Sequence, residues 1–293
     1  MKNAPVRHAL EYACALPVLG LVAILPHTAV RRLGAALGAL AGRLVARRRR
    51  LVLDNLRQAF PELSAEERQS VASACFRHFG AVFLDSLAMR RFSPPELCDR
   101  IDWEGFDHLL EAERAGRGVI YLSAHFGNWE AAANGVGALR GPVAVVGRPV
   151  DNPHVDRLVH DLRTHFGNRL LPKRGSVRDM FRVLASGGRL GLLIDQRVRA
   201  DESIDVPFFG RPARTSPIVA RLALKTGAAV VPIAAHHLPG GRYRVVVDPP
   251  IWPEGRDDPE NSFAFTRRCL EAGESAIRRH PEQWLWMHDR WKH

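Results

Sequence analysis

The sequence lacks the motifs that mark several large classes of enzyme. It has no GxSxG nucleophile elbow, no GxxxxGK phosphate loop and no GxGxxG dinucleotide fingerprint. Its cysteines are far apart and form no CxxC pair, so neither a zinc site nor a disulfide framework is indicated. We therefore expect no metal, no cofactor and reduced cysteines; these are Cys14, Cys75, Cys98 and Cys269.

The balance of charge indicates an anionic partner. The 293 residues carry a formal charge of +11, with 46% hydrophobic and 25% charged residues, which is typical of a folded chain of one large or two small domains. Nucleic acid, an anionic membrane surface, an acidic protein and a phosphorylated substrate all fit this charge. No zinc-finger spacing, RNP-like aromatic motif or basic region with heptads accompanies the arginines, so we expect no nucleic-acid partner.

An uncharged segment near the amino terminus is followed by arginines. Residues 13–26 contain no charged side chain, although Pro17 and Pro26 interrupt them, and no convincing cleavage site follows. Basic residues that flank an apolar segment are typical of the cytoplasmic side, where they meet anionic head groups. The pattern predicts membrane attachment, spanning or interfacial; the alternative is a buried core helix with a solvated basic end. The arginines are Arg31, Arg32, Arg43 and residues 47–50.

Residues 51–92 show helical patterns. Ser64 and Glu67 form a predicted capping box, and Pro94-Pro95 ends this region. We therefore predict an anchor and helical lead-in over residues 1–95 and a catalytic α/β domain over residues 96–293.

Beyond residue 95, apolar strands alternate with helices. This alternation predicts an α/β fold with a central mixed, largely parallel sheet flanked by helices. The predicted strands are Val119–Leu122, Val143–Val146, Leu190–Ile194, Ala229–Ala234 and Tyr243–Val247, and the predicted helices include Pro153–His165, Val177–Ala185 and Pro217–Lys225.

The stretch from Gly116 to Glu130 places a histidine and a carboxylate after a buried strand. Residues five apart in one continuous helix point about 140° away from each other. If His125 and Glu130 meet, His125 therefore lies on the turn before a helix and Glu130 in its first turn. Such a site would sit at the carboxyl end of a strand, where α/β sheets bind their ligands.

Two more polar groups follow predicted strands. Arg148 comes just after Val143–Val146, and Asp195 with Gln196 comes just after Leu190–Ile194. Loops that follow parallel strands converge on one edge of the sheet, so we expect these groups to line one cleft with His125.

A histidine oriented by a carboxylate, with no protein nucleophile beside it, fits a general base for an external hydroxyl. We predict that His125 and Glu130 are catalytic, and that Arg148, Asp195, Gln196 and Asn128 bind substrate or stabilise an oxyanion. Two alternatives are a hydrolase that activates water, in effect a thioesterase, and a non-catalytic membrane-binding or nucleic-acid-binding protein.

Several blocks of sequence resemble the lysophospholipid acyltransferase superfamily, with its H-x4-D/E motif, and more closely the bacterial lipid A biosynthesis acyltransferases. The H-x4-E motif alone is weak, but the blocks occur in the family's order from about residue 51 onward. They are DNLRQAFPELSAEER, SAHFGNWE, GRPVDNPHVDRLV, LPKRGSVRDMFRVLASGGRLGLLIDQ, VPFFGRPARTSP, ARLALKTGAAVVPI and PEQWLWMHDRWK.

The resemblance implies an enzyme of the bacterial inner membrane, with its catalytic domain facing the cytoplasm. It implies transfer of a fatty acyl chain from acyl carrier protein to a hydroxyl of a lipid A precursor, with His125 as base and Glu130 as its partner. It also places Arg148 near the reaction centre and Asp195 in the family's third block. An acidic carrier protein, a glycolipid acceptor and an anionic lipid surface would all be attracted to a chain of charge +11.

One departure from the family pattern concerns the acceptor. Members acting on Kdo-bearing lipid A commonly carry a second acid two residues after the aspartate, where this chain has Arg197. An ornithine lipid, a lysophospholipid or a mannosylated phosphoinositide is therefore an alternative acceptor.

The acyl chain requires an apolar pocket. The candidates to line it are Phe126, Trp129, Phe208 and Phe209, each of which also fits a core position. Trp284, Trp286 and Trp291 are expected either at a membrane interface or in the core.

Overall fold

The computed structural model describes residues 4–172 and 175–292; Lys173 and Arg174, inside one of the matching blocks, lie outside the described residues. The helices are α1 Ala4–Ile24, α2 His27–Leu44, α3 Ala46–Ala59, α4 Ala65–Met89, α5 Pro94–Cys98, α6 Phe106–Arg114, α7 Trp129–Arg140, α8 Pro153–Thr164, α9 Val177–Ala185, α10 Ile218–Thr226 and α11 Pro259–Arg279. The strands are β1 Ile101–Glu104, β2 Val119–Ser123, β3 Val143–Gly147, β4 Arg169–Pro172, β5 Arg189–Leu193, β6 Ile204–Phe208, β7 Arg211–Thr215, β8 Ala229–Leu238 and β9 Arg242–Val247.

Seven strands form the central sheet in the order β1-β9-β8-β2-β5-β3-β4. Every neighbouring pair is parallel except β8 and β9, which are antiparallel. The sheet is therefore mixed and largely parallel, and the predicted fold class is confirmed. Strand β5 lies directly between β2 and β3, so the segments that follow these three strands leave from one edge of the sheet.

The five predicted strands and three predicted helices are present with small shifts at their ends. Strands β1 and β4 and the β6–β7 hairpin were not predicted from the sequence. Strands β1 and β4 are short and lie at the two edges of the sheet, where half of the backbone groups are unpaired and sequence patterns are weak. The hairpin turns at Phe209 and Gly210, whose φ angles of 53° and 71° suit a tight two-residue turn.

Alternation along β2 divides the core into two layers. Val119 and Tyr121 face a cluster that includes residues of α6 and α7, whereas Ile120 and Leu122 face residues of α3, α4, α10 and α11. A fully buried strand of this kind is typical of a parallel sheet covered on both faces. Helices α3 and α4, predicted as part of the lead-in, thus share a core with the sheet. Trp284, Trp286 and Trp291 lie in the same layer, so these tryptophans belong to the core.

The amino-terminal helices form a smaller layer. Helix α1 continues past Pro17 and ends at Ile24, and α2 begins directly after Pro26. Among the described residues, the segment Val6–Ile24 is long and apolar enough to cross a membrane by its length and composition. At the other end of this region, the predicted capping box is present: Ser64 Oγ accepts from the Glu67 amide, and Glu67 accepts from the Ser64 amide.

Helices α2 and α4 approach each other through glycines. Gly34 and Gly38 face Gly80, and all three lack the side chain that would separate the two backbones. A Cβ atom at Gly38 would lie 2.1 Å from the carbonyl oxygen of Phe76, and one at Gly34 would lie 2.3 Å from that of Gly80. Since backbone atoms cannot move aside as a flexible side chain can, this contact requires glycine.

We expect Gly38→Ala to lower the free energy of unfolding by about 1–3 kcal/mol, because the added methyl group separates α2 from α4. Gly273→Ala in α11 is the matched control: no atom lies within 4 Å of a Cβ there, so alanine should be neutral or stabilising by up to about 1 kcal/mol. Thermal unfolding in detergent solution measures both variants. Equal melting temperatures for the two would contradict the close helix contact.

Candidate active site

His125 lies on a turn that two other segments hold in place. The turn follows β2, and its Gly127 has a φ of 56° and leaves no room for a Cβ, which would lie 1.8 Å from the carbonyl oxygen of Ala235. On one side, the Asn128 amide donates to the Ala235 carbonyl. On the other, the Gly127 amide donates to the Gln283 carbonyl and the Leu285 amide to the His125 carbonyl. The histidine is thus presented by a rigid turn, as predicted, at the carboxyl end of β2.

The carboxylate that contacts His125 belongs to Asp195. Its Oδ1 lies 2.8 Å from Nδ1 of His125, while its Oδ2 accepts hydrogen bonds of 2.8 Å from the His125 amide and from the Trp284 indole. Asp195 is buried at the end of β5, which neighbours β2 in the sheet. All three hydrogen bonds fix the carboxylate against the imidazole.

The charge state of Asp195 fixes the tautomer of His125. Burial raises the pKa of Asp195, but the charge and hydrogen bonds of His125, together with the Trp284 indole, lower it more strongly, to about 2. An ionised carboxylate only accepts, so Nδ1 of His125 carries the proton that lies between them. When the ring is neutral, its lone pair is therefore on Nε2; the His125 side chain as a whole is 20% exposed.

This geometry corrects the expectation that Glu130 orients His125. Glu130 lies in the first turn of α7, as predicted, but its hydrogen bonds within the described part of the chain go to Arg163 and Trp129. Its Oε1 lies 2.7 Å from Nη2 and 2.9 Å from Nε of Arg163, and 3.1 Å from Nε1 of Trp129. The physical reason is helix geometry: the first turn of α7 directs Glu130 toward α8, which supplies Arg163, and not back to the preceding turn.

Glu130 and Arg163 form a largely buried ion pair. Burial lowers the pKa of the Arg163 guanidinium, but Glu130 beside it more than offsets this, so the pKa is raised above its ordinary value and the cation is retained. The ring of Trp129 packs edge-on against His125, with ring centroids 5.1 Å apart. Trp129 therefore touches the histidine with its ring and Glu130 with its indole nitrogen, and it connects the two polar pairs.

The other predicted binding residues differ in their exposure and in their distance from His125. Arg148 follows β3, two strands away from β2 and so about 10 Å along the same edge of the sheet. Its side chain is 76% exposed and lies 3.4 Å from the exposed Asp151, a pair that contributes little stability. Gln196 is half-buried next to Asp195. The three predicted strand-end groups thus share one edge, but only His125 and Asp195 are in direct contact.

Asn128 is corrected from a substrate-binding residue to a helix cap. It is fully buried; its side-chain oxygen accepts from the Ala131 amide at the start of α7, and its side-chain nitrogen donates to Asp85. Both polar atoms are therefore used inside the protein, and neither is free for substrate.

The predicted pocket residues separate into three environments. Trp129 lines a cavity between the sheet and α7 that is otherwise mostly apolar and includes Tyr121, Val136 and Leu192, with Glu130 and Arg163 among its few polar residues. Phe126 and Phe208 line a different cavity, on the opposite face of the sheet beside α11. Phe209 lines neither cavity, because it forms the hairpin turn and packs on Phe60 and Trp286.

Two residues of the site, Arg163 and Trp284, were not predicted to belong to it. Arg163 lies in a helix that was predicted, but nothing in its local pattern distinguishes it from a solvated arginine. Trp284 was noted, yet its hydrogen bond to Asp195 joins positions 89 residues apart in the chain. Asp195 itself was identified as a strand-end acid; its pairing with His125 depends on β5 being the neighbour of β2, which the order of strands along the chain does not reveal.

The chain resembles known proteins over nearly its whole length. The family model described as bacterial lipid A biosynthesis acyltransferase matches residues 2–293. A lipid A biosynthesis lauroyltransferase of Escherichia coli K12 is 31% identical over 280 residues, which cover 94% of this chain and 89% of that protein. A lipid A biosynthesis palmitoleoyltransferase of the same organism is 28% identical over 284 residues, covering 94% and 89%.

Two further similarities are more distant. A phosphatidylinositol mannoside acyltransferase of Mycolicibacterium smegmatis is 25% identical over 240 residues, covering 81% of this chain and 77% of that protein. Among solved structures, the 1-acyl-sn-glycerophosphate acyltransferase of Thermotoga maritima matches 85% of this chain and 99% of its own, with a TM-score of 0.40 and 13% identity.

Proposed function

The chain belongs to the family of bacterial lipid A biosynthesis acyltransferases and is an O-acyltransferase, and from this premise we propose that it acylates a hydroxyl of a lipid A precursor. The proposed donor is a fatty acyl thioester of acyl carrier protein. The observation that carries the mechanism is the His125–Asp195 pair at the edge of the sheet; among the described residues, the His125 ring has a hydrogen bond to Asp195 alone.

In the proposed reaction, Nε2 of His125 removes the proton from the acceptor hydroxyl as its oxygen attacks the thioester carbonyl. The tetrahedral intermediate then collapses and the carbon–sulfur bond breaks. The departing thiolate accepts the proton from the imidazolium. Asp195 stabilises the imidazolium between these steps and keeps the ring in the required tautomer. Every proton and bond is accounted for without a covalent enzyme intermediate.

Glu130 is proposed to act indirectly. By holding Arg163 and the Trp129 indole, it fixes the aromatic ring that supports His125. Its carboxylate also balances the guanidinium charge, so the neutral pair can lie beside an apolar cavity at lower cost than an isolated ion.

The cavity lined by Trp129 is the proposed site of the acyl chain. Trp129 is in contact with His125, so a chain in this cavity extends directly from the reacting carbonyl. The cavity beside α11, which Phe126 and Phe208 line, is the second candidate. Arg148 and Gln196 are proposed to bind the acceptor at the edge of the sheet, where the exposed guanidinium of Arg148 suits a phosphate.

The amino-terminal helices are proposed to attach the enzyme to the cytoplasmic face of the inner membrane. Large apolar side chains are exposed on α1, α2 and α4, which is costly in water and favourable in a bilayer. The arginines at the start of α3 follow this surface and suit anionic head groups. The exposed apolar residues are Val6, Leu10, Leu16, Leu21, Ile24, Leu37, Leu40, Leu44 and Phe83.

Incubation of the purified protein with acylated carrier protein and a lipid A precursor should yield an acylated lipid, detected by mass spectrometry. Free fatty acid as the main product would instead indicate a thioesterase and would overturn the transfer reaction. Lipids from cells with and without the protein test the acceptor: we expect a change confined to lipid A. A change in another glycolipid, with lipid A unaltered, would reassign the acceptor to the class suggested by Arg197 and by the mannoside acyltransferase relative.

A further inference from the structure

A fully buried carboxylate lies behind the turn of residues 125–128, which carries His125, and has no part in the proposed reaction. Asp85 of α4 has no solvent exposure. Its Oδ2 accepts hydrogen bonds from Tyr243 Oη at 2.7 Å and Asn128 Nδ2 at 2.8 Å, and it lies 3.0 Å from Nε2 of His237. Tyr243 lies in β9, Asn128 caps α7 and His237 lies in β8. A single oxygen therefore joins three elements around the turn of residues 125–128.

The second oxygen of Asp85 faces α2. Nε2 of His27 lies 2.7 Å from Oδ1. Nε of Arg31 lies 3.8 Å from the same oxygen. Both residues are in the first turns of α2, which directly follows the apolar helix α1.

Asp85 is ionised in spite of its burial. Burial raises its pKa, but contacts with His237 and His27 and the charge of Arg31 lower it more, so the pKa lies well below the usual range. Burial in turn lowers the pKa of His237, against the effect of Asp85. Because a buried ion is expensive unless its charge is offset, these contacts hold the surrounding groups in one arrangement around Asp85.

Asp85 determines the orientation of the Asn128 side-chain amide. A carboxylate only accepts hydrogen bonds, so it selects the NH₂ group of the Asn128 amide and turns the amide oxygen the other way. That oxygen then lies 3.0 Å from the Ala131 amide and caps α7. His125, the proposed base, precedes this cap, and Trp129, whose ring packs against His125, follows it.

We propose that Asp85 is a positioning residue that fixes the Asn128 cap, and through it the relative placement of His125 and the first turn of α7, and that it ties this turn to α2. The inference rests on the proposed use of His125 as the base. The amino-terminal helices then help to align the site as well as to attach the protein to the membrane.

The test compares Asp85→Asn with Tyr243→Phe in the full-length protein. An asparagine leaves one acceptor oxygen for Tyr243, His237 and Asn128, without the charge that holds these donors, and turns an NH₂ group toward Arg31. The Asn128 amide is then held less firmly, and the tie to α2 is lost. We expect kcat to fall about 10- to 100-fold, the range for a small misplacement of reacting groups, with KM for the acyl donor changed less than about threefold. Tyr243→Phe removes one neutral donor to the same carboxylate but leaves Asn128 in place, so kcat should stay within about threefold of the parent.

Asn128→Ser provides a second variant in case Asp85→Asn fails to fold. Serine caps a helix but cannot span the distance to Asp85, so kcat should again fall with KM preserved. In the double variant the two effects should not multiply, because both break the same link. Unchanged kcat in a folded Asp85→Asn or Asn128→Ser, or equal loss in Tyr243→Phe, would overturn the positioning role. Activity that survives His125→Ala would instead overturn the proposed function itself, so the two failures are distinguishable.

Discussion

Replacing His125 by alanine should lower acyl transfer by about 10²- to 10⁴-fold, the usual contribution of a general base, while the protein stays folded and bound to membranes. In the proposed mechanism, Nε2 of His125 accepts the proton of the hydroxyl. No other described side chain that contacts Asp195 offers a basic nitrogen, because the remaining contacts of Asp195 are the backbone amide of residue 125 and the Trp284 indole. Those two contacts persist in the variant, so Asp195 keeps two of its three hydrogen bonds. Rates with acylated carrier protein and a lipid acceptor measure the effect.

His165→Ala is the matched control for this experiment. The tetrapeptide HFGN occurs at His125 and again at His165, but the second copy follows α8, and its Nε2 lies 3.2 Å from the carbonyl oxygen of Phe92. Activity of this variant should stay within about twofold of the parent. If His125→Ala transferred acyl chains as fast as His165→Ala, a histidine base would be ruled out.

The fold was largely predictable because each central strand carries its own signal. A strand buried on both faces is a continuous apolar run, and the first four residues of β2 are such a run. Strands β3 and β5 and the first half of β8 are also rich in apolar residues. The edge strands β1 and β4 and the β6–β7 hairpin lack this signal, since they are short or contain proline and charged residues. Their positions depend on pairing with neighbours, which is a property of the whole sheet.

The site was predictable as a set of strand ends, and its pairings were not. Position after a strand identified His125, Arg148 and Asp195, because this property is local. The choice of Asp195 over Glu130 as the partner of His125 depends on strand order and on the direction of the first turn of α7, which are tertiary properties. The Asp85 network could not be predicted from the sequence either, since its members come from α2, α4, the cap of α7, β8 and β9.

Asp195→Asn should lower kcat by about 10²- to 10⁴-fold with little change in KM, because it is expected to hold His125 in the wrong tautomer. The Oδ2 position accepts two N–H groups, from the His125 backbone and Trp284, so the oxygen of an asparagine must occupy it. The NH₂ group then faces Nδ1 of His125 and forces that nitrogen to accept. The ring proton moves to Nε2, which no longer takes a proton from the hydroxyl. Steady-state kinetics at neutral pH measure the loss.

Glu130→Gln separates this explanation from the alternative in which Glu130 orients the base. Glutamine leaves the buried Arg163 without its counter-ion, so activity and stability should both fall, and the double variant Glu130→Gln/Arg163→Met should recover about tenfold of the lost rate because the unpaired cation is gone. Arg163→Met should give no recovery in the Asp195→Asn background, since Arg163 does not contact that pair. Equal losses in Glu130→Gln and Asp195→Asn, both insensitive to Arg163→Met, would show that Glu130 acts on His125 directly and that the Asp195 contact is only structural.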